Sequence, residues 1–206
     1  MKKILCFGDS NTYGFNPFNF DRYDKDTRWT GILTQKLADK CEIIEAGCNN
    51  RNGFVDSNDN NDELTGYKIL PKYLKTSPDI VILAIGINDL QKFYRPTLDT
   101  ISTGLTSMIK MIKDSGAEVL VISPPILNKD ILEGYFVIQF DEQSIEMSKL
   151  VQPVYKNISD DMGCKYIDLN KHVSVSKKDG LHYTEESHAI IAEVISDYID
   201  EHFYTV

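Results

Sequence analysis

The chain has 206 residues, 42% of them apolar, which suits one domain with a sizeable core, and a single domain over 1–206 is expected. A net charge of −9, with no local cluster of Lys or Arg, excludes nucleic acid and anionic membrane surfaces as expected partners. No stretch approaches the roughly 18 apolar residues of a membrane helix, so a cytoplasmic protein with no membrane partner is expected.

The first element is an apolar strand over 3–7 that stops at Gly8-Asp9. Met1-Lys2-Lys3 has the basic start of a secretory leader, but the apolar run ends well short of an h-region and reads as a buried strand. Ser10 follows in a strand-to-helix turn, where backbone N–H groups point outward. The tripeptide also reads as a plain helix cap, since Ser and Asp are ordinary N-cap residues. Residues 13–28 are irregular, with Tyr13, Phe15, Phe18, Phe20 and Tyr23 set among Asn and Asp, and loops this long often carry function. A helix near 29–39 and a strand over 42–46 come next, followed by an Asn/Asp-rich segment, 56–63. A calcium loop there would need Gly at its sixth position and Glu at its twelfth, where Asn61 and Tyr67 stand, so no metal is expected.

A helix near 66–75 leads to the strand 79–85, whose Ile80-Val81-Ile82-Leu83-Ala84-Ile85 is apolar without alternation, as a central strand buried on both faces requires. Gly86-Ile87-Asn88-Asp89 lies just beyond it. Leu98, Ile101, Leu105, Met108, Ile109 and Ile112 recur at three- and four-residue steps, a strong amphipathic helix with Gly116 as its C-cap. A strand over 118–123, an aromatic stretch over 131–140 with Tyr135, Phe136 and Phe140, a helix over 143–162 and a strand over 165–169 follow. Asp179-Gly180-Leu181-His182 precedes the last helix, which starts with Thr184 as N-cap, carries Glu185 and Glu186 in its first turn, and buries Ile191, Val194, Ile195, Tyr198 and Ile199. Short apolar runs alternating with helical periodicity predict an α/β fold: a three-layer α/β/α sandwich around a five-stranded parallel sheet, with right-handed crossovers and flavodoxin-like order. Cys6, Cys41, Cys48 and Cys164 show no CxxC pair, so free thiols are expected.

Three segments carry chemistry, and each sits just beyond a strand, where open α/β sheets bind ligands. Ser10 offers a hydroxyl. Asp179 lies close enough to His182 for its carboxylate to fix the imidazole tautomer and stabilise the imidazolium, although Asp179-Gly180 is also ordinary turn chemistry. His172, His188 and His202 lack such a partner in sequence. Asn88 can aim a side-chain N–H into a cleft, and an amide donor facing a nucleophile is what a developing oxyanion requires.

In that order the blocks resemble the SGNH hydrolase superfamily, the GDSL esterases. Phe7-Gly8-Asp9-Ser10-Asn11-Thr12 is similar to its nucleophile block, Gly86-Ile87-Asn88-Asp89 to its GxND block and Asp179-Gly180-Leu181-His182 to its DxxH block. Arg28-Trp29, the helix after it and 49–70 resemble the arylesterase-like or acyltransferase-like branch, whose members are often oligomeric, so a homo-oligomer is an expectation. The resemblance implies Ser10 as nucleophile, His182 as general base and acid, Asp179 as its orienting group, and an oxyanion hole from the Ser10 and Asn50 backbone N–H groups and the Asn88 amide. It implies no cofactor and a small-molecule ester as substrate, with hydrolysis or acyl transfer as the outcome. One departure stands out: Asn50 takes a place where the family pattern has Gly, and Gly47 or Gly53 supplies the donor if the register shifts. Asn tolerates positive φ better than other non-glycine residues. Asp9, Tyr13 and Phe136 are expected at the substrate, with the aromatic loops lining the pocket or packing a subunit contact. Small esters of short acyl chains are favoured. A carbohydrate O-acetylesterase is the alternative, and a flavodoxin-like binding module for a phosphate-bearing ligand is the non-enzymatic one, although no Gly-rich phosphate loop is present.

Overall fold

The computed structural model describes residues 1–59 and 61–203. Its elements run β1 (Lys2–Gly8), α1 (Ser10–Tyr13), α2 (Trp29–Lys36), β2 (Cys41–Gly47), α3 (Gly66–Leu74), β3 (Ile80–Ala84), α4 (Leu98–Asp114), β4 (Glu118–Ile122), α5 (Glu142–Asp161), β5 (Lys165–Ile167) and α6 (Glu185–Phe203), with short 3-10 turns between them. The strands form a parallel five-stranded sheet in the order β2-β1-β3-β4-β5, the flavodoxin-like arrangement expected.

Strand side chains alternate between two cores, which is why the central strand β3, Ile80-Val81-Ile82-Leu83-Ala84, is apolar at every position. Leu5, Phe7, Val81, Leu83, Val119 and Val121 face one core, closed by residues of α3, α4 and α5 such as Leu70, Leu105 and Val151. Ile4, Cys6, Ile80, Ile82, Leu120 and Ile122 face the other, closed by Trp29 and Leu33 of α2 and Ile191, Ile195 and Ile199 of α6. Two packed faces make the three layers.

Several boundaries differ from expectation for local reasons. β3 stops at Ala84 because Gly86 turns the chain at φ +123, and Tyr155 Oη donates to the Ile85 carbonyl at 2.7 Å, where the sheet would otherwise continue. β5 is shorter than expected, since the Asp168 side chain accepts from the Asn170 N–H and starts a 3-10 turn. Val194 and Tyr198 flank the buried stripe of α6 and are half-buried rather than buried. Gly116, expected as the cap of α4, lies one residue beyond the cap Ser115, at φ +90. Residue 60 of the 56–63 segment lies outside the described residues; around it, Asp62–Leu64 forms a 3-10 turn.

The register places functional segments together. Gly8 pairs with Gly47 on one side and Ala84 on the other, so β1, β2 and β3 end level at the carboxyl edge of the sheet. The 13–28 loop is held over that edge by Arg22 and Arg28, whose guanidinium groups both engage Glu45 of β2. Among the described residues, no helix is long and apolar enough to cross a membrane.

Candidate active site

Ser10 is the first residue of a single helical turn launched from the end of β1. Asp9 caps that turn, its Oδ1 accepting from the Asn11 N–H at 2.9 Å, and Gly14, at φ +86, closes it by donating to the Ser10 carbonyl at 3.0 Å. The turn lies directly on β2: a Cβ on Gly47 would stand 2.2 Å from the Tyr13 nitrogen. Gly47 is therefore glycine because two backbones meet there.

The base arrives from the far side of the sheet. Gly180, at φ +71, lets the chain turn back so that Asp179 Oδ1 accepts the N–H groups of Leu181 and His182, both at 3.0 Å. The other carboxylate oxygen lies 2.7 Å from His182 Nδ1, and His182 Nε2 lies 2.9 Å from Ser10 Oγ. Burial by itself would raise the Asp179 pKa, but the hydrogen bond and charge of His182, with the two backbone donors, hold the carboxyl below its ordinary range. With Nδ1–H donated to a carboxylate, Nε2 is left as an acceptor for the Ser10 hydroxyl. Asn11 clips the two arms together, donating from Nδ2 to the Leu181 carbonyl at 3.3 Å and accepting the Tyr183 N–H at 3.2 Å.

Asn88 and Asn50 form the opposite wall of the cleft. Asn88 Nδ2 donates to the Arg51 carbonyl at 3.1 Å, which leaves its second N–H unspent by that bond. Asn50 takes φ +60, the left-handed conformation that the family pattern meets with Gly. The segment after it is set by Asp89, whose carboxylate accepts the N–H groups of Gly53, Phe54 and Val55 at 2.6, 2.7 and 2.9 Å. Burial pushes the Asp89 carboxyl up to about 6 even against those three donors. The Gly53 N–H is thus already committed, and Gly47 lies inside β2 and outside the cleft lining.

The structure brings Ser10, His182, Asn50, Asn88 and Phe136 onto one cleft. Asp179 stands behind the imidazole. Two expected substrate contacts are corrected. Asp9 is 3% exposed and lines a separate pocket with Asn11, Thr12 and Trp29, because capping α1 turns its carboxylate inward. Tyr13 lies under the Arg22 guanidinium, 4.6 Å from its carbon, and is absent from the cleft lining. Phe15 takes the place assigned to Tyr13: its ring is 4.3 Å from the His182 ring, with Phe136 at 5.1 Å from the same imidazole. The path of the loop after Gly14, where Phe15 pairs with Arg22, decides between the two rings, and nothing in the sequence alone distinguishes them. Gln139 also lines the cleft; no local pattern in the sequence marked it. His188, by contrast, is fully buried, accepts from the Trp29 N–H at 3.3 Å and is kept neutral by burial, its pKa pushed down to about 3.

Known proteins share the family pattern and the fold of this chain. The family model described as GDSL-like lipase/acylhydrolase matches residues 4–195. An arylesterase of Vibrio mimicus is 23% identical over 210 residues, covering 98% of this chain and 90% of that protein. The inhibitor-bound structure of an aryl esterase from M. smegmatis superposes with a TM-score of 0.91 at 29% identity, covering 98% of this chain and 99% of the other. Est24, a carbohydrate acetylesterase from Sinorhizobium meliloti, superposes with a TM-score of 0.87 at 28% identity, covering 98% and 99%.

Proposed function

Because this chain belongs to the GDSL-like lipase/acylhydrolase family and is a carboxylic ester hydrolase, we propose that Ser10, His182 and Asp179 form its catalytic triad and that its substrates are small esters of short acyl chains. The observation that carries the triad is the unbroken line from Asp179 Oδ2 to Nδ1 at 2.7 Å and from Nε2 to Ser10 Oγ at 2.9 Å. Ser10 attacks the ester carbonyl as His182 takes its proton; the tetrahedral intermediate then expels the alcohol, which receives that proton from the imidazolium. Water, or a second alcohol, repeats the sequence on the acyl-enzyme, with His182 again as base. Asp179 keeps Nδ1 protonated and offsets the positive charge on the ring. The developing oxyanion is met by the backbone N–H groups of Ser10 and Asn50 and by the Asn88 side chain.

The aromatic lining supports the substrate class. Phe15 and Phe136 pack edge-on against each other at 6.1 Å and both lie against the imidazole, at 4.3 and 5.1 Å, crowding the side of the ring that a bulky acyl chain would have to pass. A carbohydrate O-acetylesterase is the second reading, favoured by the carboxamides of Asn49, Asn50 and Gln139 on the cleft wall, which can bond sugar hydroxyls.

Ser10→Ala tests the triad. It should abolish turnover of p-nitrophenyl acetate and labelling by a fluorophosphonate probe with the melting temperature unchanged; labelling that persists in the variant rejects the nucleophile. A panel of p-nitrophenyl esters of rising chain length beside acetylated sugars decides the substrate class: rates that rise with chain length overturn the short-acyl reading, and faster acetate release from the sugars favours the second one.

A further inference from the structure

One buried amide on the oxyanion wall has no part in the steps above. Gln91 directly follows the 3-10 turn Asn88–Leu90 and is 3% exposed. Its Nε2 lies 2.8 Å from Asn50 Oδ1 and 3.2 Å from Asn88 Oδ1. A carboxamide nitrogen has two hydrogens, and both are spent on these two oxygens.

The consequence for Asn88 is directional. With Oδ1 accepting from Gln91, Nδ2 must point the other way, where one hydrogen goes to the Arg51 carbonyl at 3.1 Å. Rotating the amide by half a turn would set Nδ2 against Gln91 Nε2 and Oδ1 against the Arg51 carbonyl, replacing two hydrogen bonds with two like-pole contacts. Only one orientation is left, and in it the second Nδ2 hydrogen serves the cleft. For Asn50 the consequence is conformational. Its φ of +60 is disfavoured for a residue with a Cβ, and the bond from Gln91 ties its side chain to the wall.

We propose that Gln91 is a positioning residue for the oxyanion hole, fixing the Asn88 amide with its N–H end toward the reacting oxygen and holding Asn50 in the conformation that a glycine would adopt freely. This rests on the reading of Asn88 and Asn50 as oxyanion donors. It also accounts for how a side chain is accommodated where the family pattern has none: the loop residue and its clamp sit on adjacent segments, each making the other necessary.

The test uses Gln91→Met, which keeps the volume of the side chain and removes both donors, with Gln91→Ala as the second variant should the first fail to fold. With p-nitrophenyl acetate, kcat should fall roughly 10- to 100-fold with KM within about twofold, a fraction of the 10²–10³ that removal of an oxyanion donor costs. Inhibition by a trifluoromethyl ketone, whose adduct carries an oxyanion, should weaken by a similar factor. In an Asn50→Gly background the same change should cost several-fold less, since only one donor then needs orienting. Wild-type kcat in Gln91→Met, a loss confined to KM, or an equal loss with and without Asn50→Gly overturns the proposal. Asn88→Ala separates the two levels. If that variant retains kcat, the oxyanion reading itself fails; if it loses 10² or more while Gln91→Met does not, Gln91 alone is misassigned.

Discussion

Replacing Asp179 by Asn should disable the enzyme by reversing one proton. The carboxylate has two distinct duties: Oδ1 accepts two backbone N–H groups at 3.0 Å each, and Oδ2 faces His182 Nδ1 at 2.7 Å. An Asn side chain has one oxygen, and the two backbone donors claim it, because the reverse orientation would press an NH₂ against both and leave them unpaired at about 1–3 kcal/mol each. The NH₂ then faces Nδ1, which can only accept, so the ring proton moves to Nε2. Ser10 Oγ, 2.9 Å away, meets a donor where it needs a base. In serine triads this inversion costs about 10⁴ in kcat, or ~5 kcal/mol of barrier, and the same order is expected here, with KM within about threefold. Initial rates of p-nitrophenolate release from purified Asp179→Asn, compared with wild type from pH 6 to 10, give the answer, with circular dichroism and melting temperature confirming the fold. The variant's residual rate should climb with hydroxide concentration. A loss smaller than about tenfold at pH 7 would refute the idea that Asp179 sets the tautomer.

Two further outcomes follow from groups away from the reacting atoms. Burial pushes the Asp9 carboxyl up to about 7, outweighing the Asn11 N–H and the charge of Arg51, so the folded protein keeps a proton that the unfolded chain releases near 3.8. Its stabilising contribution is therefore complete below that value and lost as pH rises to about 7. Asp9→Asn, which retains an acceptor for the helix cap, should gain stability over wild type by more at pH 8 than at pH 4.5, with ~4 kcal/mol as the ceiling, as read by urea unfolding; the same difference at both pH values rules this out. Ser77 is exposed and sits at φ +53 just beyond α3, its N–H bonded to the Leu74 carbonyl. Ser77→Gly should relieve about 1 kcal/mol of backbone strain, partly offset by the freer unfolded chain, and raise the melting temperature by roughly 1–3 °C; a fall in scanning calorimetry would contradict it.

Much of this arrangement was legible before folding because it is local. Gly8-Asp9-Ser10, Asn88 and Asp179 through His182 each follow an apolar strand or lie within a few residues of their partners, and a strand buried on both faces announces itself as an unbroken run such as Ile80 to Ile85. The positive φ of Asn50 was also readable, since Asn is the residue that best replaces glycine there. What escaped depends on direction. Tyr13 and Phe15 have similar chemistry, and only the path of the loop after Gly14 decides which one meets His182 and which lies under Arg22. Asp9 was misplaced because helix capping and substrate contact demand the same residue type. Gln91 bonds across to Asn50, 41 positions away in sequence, and its nearer bond to Asn88 spans three, so half of its signal was present as an ordinary i,i+3 pair.

Asn11 joins the arm that carries the hydroxyl to the arm that carries the imidazole, through main-chain atoms of Leu181 and Tyr183 alone. Such a rivet is indifferent to which side chains surround it. The two aromatic loops overhead can therefore be exchanged for others, by evolution or by an engineer, while the distance across which the proton travels stays the same.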